Sequence, residues 1–147
     1  MAKSNFDNLY TQDGPQAYAR AMRALSYRNP DYLDIARPAF DSFVKDTMAS
    51  RGARLRIVDI CAGYGINSLT LRYGLVDDAV YEWLETPTPL EKRRDANPWI
   101  DSPCEIVGLD VSERALEFGT KNKLFDAYVC RNLEEEDLSD QLSLIHI

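Results

Sequence analysis

A chain of 147 residues, 45% hydrophobic and 28% charged, has the composition of one soluble globular domain with room for a real core. It contains no apolar run near the ~20 residues that span a bilayer, and its N-terminus, MAKSNFDNLY, lacks the basic-then-apolar order of a secretory signal. The net charge of −7 is uneven: residues 1–73 carry 10 Lys+Arg and 7 Asp+Glu, net +3, and residues 74–147 carry 7 and 17, net −10.

The basic residues of the first half (Arg20, Arg23, Arg28, Arg37, Arg51, Arg54 and Arg56) are scattered among acids. A solvated surface is expected there, not a nucleic-acid face. Cys61, Cys104 and Cys130 are odd in number and form no CxxC pair. That argues against a disulfide framework or zinc site and for a reducing, cytoplasmic setting.

In chain order, Asp13-Gly14-Pro15 signals a turn, and PQAYARAMRAL then places Tyr18, Met22 and Leu25 on one helical face. A second helix is expected over about 31–50, where Leu33, Ala36, Phe40, Phe43, Val44 and Thr47 recur at helical spacing, unless Pro38 splits it. Both helices are expected to pack on the sheet, and Tyr18, Tyr27 and Tyr32 are read as packing residues.

Residues 56–71, RIVDICAGYGINSLTL, hold the densest local signal. The apolar, β-branched Ile57, Val58 and Ile60 predict a buried parallel strand carrying Asp59. Gly63 and Gly65 follow, then a helix from about Ile66 to Arg72 that stops at Gly74. Residues 75–104 read as an acidic, proline-bearing insertion. Within it VDDAVYEWLET predicts a short helix with Val76, Val80, Trp83 and Leu84 on one side. Covering apolar surface is the expected role of Trp83 and Trp99.

A second strand, CEIVGLD, ends in Asp110. Ser112 is a candidate N-cap for the helix ERALEFGTKNKL, and a third strand, DAYVC, precedes Arg131-Asn132-Leu133. Strands alternating with helices predict an α/β fold, a Rossmann-like parallel sheet with flanking helices. In such a sheet the carboxyl ends of the strands form the ligand crevice. Here they bring Asp59 with Gly63 and Gly65, then Asp110, then Asn132. Close backbone approach, a ribose diol and a purine edge are the chemistry these residue types suit.

DICAGYG followed by GLDVS resembles the first two motifs of class I S-adenosylmethionine-dependent methyltransferases. AYARAMRALSYRNPDYLDIARPAF, YGIN and VCRNLEE are similar to a group of uncharacterised bacterial methyltransferase-like proteins, and the resemblance covers about residues 15 to 137. It implies S-adenosyl-L-methionine as cofactor. Asp59, Gly63 and Gly65 would line its methionine end, with Cys61, Ala62 and Tyr64 also among the cofactor-binding residues. Asp110 would take the ribose, Asn132 and Leu133 the adenine, and Val111 is also among the cofactor-binding residues. It implies methyl transfer to an acceptor, small or otherwise, that the sequence does not identify.

The chain departs from this pattern in three places. Cys61 stands where the family has the first glycine of its turn, and a small buried side chain is expected there. The acidic insertion lengthens the distance from Asp59 to Asp110 beyond the ~20 residues of a compact unit. After the third strand the chain runs DLSDQLSLIHI, where a family member continues into further strands. Leu142, Leu144 and Ile145 are either a short strand or an unrelated tail. Truncation is the reading favoured, with the first strand left as an open edge that invites self-association. His146 in this tail is not expected to be a catalytic base, and no catalytic residue is assigned.

The division expected is a helical segment over 1–54 and a partial cofactor-binding domain over 55–147. The competing functions are a non-catalytic binding module, a fragment that binds nothing, and an NAD-dependent oxidoreductase. The last would need a glycine where Ser68 stands.

Overall fold

The computed structural model describes residues 14–26, 38–39, 42–43, 45–47, 49–50, 55–76, 78–90 and 105–133. Seven elements follow in order: α1 (Pro15–Ser26), β1 (Arg56–Ile60), α2 (Ile66–Tyr73), α3 (Asp78–Glu85), β2 (Glu105–Asp110), α4 (Glu113–Lys121) and β3 (Ala127–Cys130). The strands form one parallel sheet in the order β1-β2-β3 with helices packed against it, the α/β, Rossmann-like arrangement that the strand–helix alternation predicts. Register aligns Ile60 with Leu109, and Leu109 with Val129, so the three strands end side by side. No helix among the described residues is long and apolar enough to cross a membrane.

Local chemistry sets the element ends. Pro15 opens α1, where a missing N–H costs nothing. Gly74 caps α2 at φ 68, a left-handed conformation open to glycine at no steric cost. Ser112 caps α4 by accepting the Ala115 N–H at 3.3 Å.

The core is rich in aromatic side chains and draws on all four helices, the turn after β1 and Ile106 of β2. Tyr64, in the turn after β1, is fully buried, its ring 5.1 Å from Tyr18 and 5.5 Å from Phe118 between centroids. Trp83 meets Phe118 at 6.0 Å and donates its Nε1–H to the Thr88 carbonyl at 2.8 Å. Phe125 is pressed into a slot between Gly108 on β2 and Gly119 on α4; a Cβ at Gly108 would stand 2.8 Å from its ring. At the amino end of β2, buried Arg72 bonds both the Lys123 carbonyl and Asp126, whose carboxylate also accepts the Ile106 N–H.

Two sequence expectations are corrected here, and one is met. β1 is not a buried strand: among the described residues it pairs only with β2, Ile57 and Val58 are half-buried, and Ile60 is 51% exposed. A β-branched run favours strand backbone but does not say which place in the sheet the strand takes. The short helix expected within the insertion is present: α3 buries Val80, Tyr81, Trp83 and Leu84 and packs against α1. Phe43, expected on a packing face, is 47% exposed. Tyr27, Tyr32, Trp99, Cys104 and the tail with Leu142, Leu144, Ile145 and His146 lie outside the described residues.

Candidate functional site

The turn after β1 is closed by its own backbone. The Ala62 N–H donates to the Leu109 carbonyl at 3.1 Å, tying the turn to β2, and the Gly65 N–H donates to the Ala62 carbonyl at 2.8 Å. Cys61, Gly63 and Gly65 all have positive φ, at 57°, 49° and 83°. The left-handed conformation is routine for glycine and strained for cysteine. Cys61 is also exposed, which overturns the expectation of a small buried residue. The turn points its side chain outward, and an isolated sequence position carries no sign of that.

The two glycines differ in role. Gly63 donates its N–H to Asp110 Oδ2 at 2.9 Å in a buried contact. At Gly65 a Cβ would lie 2.8 Å from Leu124 Cδ1, so this glycine admits the chain leading into β3 as much as any ligand. Ala62 and Tyr64 are buried, and the Tyr64 ring is occupied in the core.

Asp110 is 6% exposed. Oδ2 holds Gly63, and Oδ1 accepts the Ser112 N–H at 2.9 Å. A carboxylate has about four acceptor positions, so two remain for a ligand. Val111, the next residue, is 60% exposed, and Leu133, beyond the tip of β3, is 37% exposed. Asn132 is half-buried. Cys130, exposed at the end of β3, donates its thiol to the Val111 carbonyl at 3.5 Å. Burial, then Glu113 and Asp110, push that thiol's pKa upward and keep it a poor nucleophile near neutrality.

Asp59 is 7% exposed, with Oδ1 accepting the Asn67 side-chain amide at 2.9 Å. Its other oxygen, Oδ2, is buried and has no hydrogen-bond partner among the described residues. Burial raises the Asp59 pKa, the Asn67 hydrogen bond opposes the rise, and the neighbouring Asp110 charge adds to it. Buried polar atoms are nearly always paired, so an orphan carboxylate oxygen near the carboxyl end of β1 suits a donor supplied by a ligand. Sequence reading missed Asn67. Its YGIN context was visible, but not that its amide reaches back eight residues to β1.

Comparison of the chain with protein-family models, with curated proteins and with solved structures gave no match.

Proposed function

We propose that this chain binds S-adenosyl-L-methionine and is a class I methyltransferase, or the cofactor-binding part of one, acting on an acceptor still to be identified. The observation that carries the reading is the Asp59–Asp110 pair. Two buried acids lie near the carboxyl ends of adjacent parallel strands. Asp59 stands one residue before the end of β1 with an orphan oxygen, and Asp110 is at the end of β2 beside exposed Val111. Asp59 Oδ2 suits the cofactor's α-ammonium. The two remaining acceptor positions of Asp110 suit a ribose diol, and Val111 with Leu133 offer apolar surface to a purine whose edge Asn132 would address.

When bound, the cofactor supplies a methyl group on a sulfonium, already a good leaving group. The protein's task is therefore positioning more than acid–base chemistry. A buried acid within β1 has no equivalent task with a nicotinamide cofactor, and Ser68 stands at the third glycine of that fingerprint.

Titration calorimetry with S-adenosylmethionine and NAD, run separately, tests the reading. Saturable heat from S-adenosylmethionine alone is expected. Heat from NAD alone would sink the proposal, and heat from neither would favour a chain that binds no such cofactor.

A further inference from the structure

We propose that Asn67 is a positioning residue, which holds the Asp59 carboxyl by Oδ1 so that Oδ2 is left for a cationic group of the ligand. The cationic group rests on the methyltransferase reading; the coupling of Asn67 to Asp59 does not.

Asn67 is the second residue of α2 and is exposed, yet it does not cap its own helix. The N-cap position is Gly65, which makes no side-chain cap. The Asn67 amide instead spans from α2 to β1 and donates to Asp59 at 2.9 Å. Asparagine has a weak helix propensity, because its side chain competes for local backbone bonds. Its use here for a tertiary contact suggests a role outside the helix.

The donor matters because of what surrounds Asp59. From β2, Asp110 opposes a charge on it. Glu105 lies at the far end of that strand, paired with Arg56. From α2, the charged residue is Arg72, bonded to Asp126. No cation among the described residues therefore bonds Asp59, and the Asn67 amide is the interaction that favours its ionised form. A neutral carboxyl would offer a cationic ligand little.

The test is Asn67→Ala, with S-adenosylmethionine affinity measured by calorimetry from about pH 4, near the ordinary carboxyl value, upward to 8. Side-chain carbon NMR follows the Asp59 carboxyl in ligand-free protein. In the parent chain, affinity should hold at high pH and fall about tenfold per pH unit below the Asp59 midpoint, as one-proton linkage requires. In Asn67→Ala both the NMR midpoint and the onset of that fall should move to higher pH, and the high-pH affinity should fall as well, because the ionised carboxyl is no longer held in place.

Affinity equal to the parent's at every pH, or an unmoved carboxyl midpoint in a folded variant, would overturn the proposal. A moved midpoint with no heat from S-adenosylmethionine at any pH would remove the cofactor reading and leave the Asn67–Asp59 coupling standing.

Discussion

Gly63 and Asp110 are bonded to each other: the glycine N–H in the turn after β1 donates to the buried Oδ2 at the tip of β2, at 2.9 Å. Sequence motifs present them as separate ligand contacts 47 residues apart. In the fold they are one unit, in which the acid holds the glycine turn in shape through Oδ2 while Oδ1 anchors Ser112 at the start of α4.

Asp110→Ala should therefore weaken the fold as well as the site. Two N–H groups lose their acceptor, at about 1–3 kcal/mol for each that stays buried, so about 2 kcal/mol of net destabilisation is expected in urea unfolding. S-adenosylmethionine affinity should fall by at least ~1 kcal/mol. Asp110→Asn keeps one acceptor oxygen and should lie between. Full stability in Asp110→Ala would show that the bracing bonds contribute nothing.

Cys61→Gly should stabilise. A left-handed cysteine carries about 1–2 kcal/mol of steric cost, and glycine's extra unfolded-state freedom takes back about 0.5–1 kcal/mol. Because Cys61 is exposed, no core packing is lost. A rise of about 0.5–1 kcal/mol in unfolding free energy is the expected result, and Cys61→Val, β-branched, should go the other way. A lower unfolding free energy in Cys61→Gly would mean the thiol makes contacts that outweigh the strain.

The Phe125 slot can be tested by a mutant cycle. A Cβ at Gly119 would stand 2.5 Å from Phe125 Cδ2, so Gly119→Ala should cost about 2 kcal/mol through overpacking. Phe125→Leu removes the obstructing ring edge, and the double variant should be more stable than the sum of the single effects predicts. Strict additivity in thermal unfolding would mean the two sites do not meet.

Asp59→Asn should raise stability while removing ligand affinity. Burial lifts the Asp59 pKa above its ordinary 3.8. A group whose folded pKa is raised contributes its full stability below the ordinary value and loses it as pH rises through the folded value. At pH 7–8 the folded state thus bears the cost of a buried charge that the amide avoids, and a gain of about 1 kcal/mol is expected. The gain should shrink on acidification and vanish below about pH 4, as unfolding curves at stepped pH will show. A gain independent of pH would point to packing instead of charge.

Much of the fold is legible along the chain because its signals are local. β-branched runs mark β1 and β2, helical spacing marks α1 and α3, and Gly74 and Ser112 mark helix ends through backbone freedom and a side-chain acceptor. Strand-end acids and turn glycines are equally local, so Asp59, Gly63, Gly65 and Asp110 can be picked out by residue type and position.

Tertiary structure alone decided what those residues do with one another. It set Asp110 against Gly63. It also placed Cys61 outward in a left-handed conformation and Asn67 on Asp59. Sheet order, burial and cross-element hydrogen bonds depend on which segments meet across distances the sequence pattern does not encode. For the same reason the orphan oxygen of Asp59 could be found only once the neighbours that fail to satisfy it were in place.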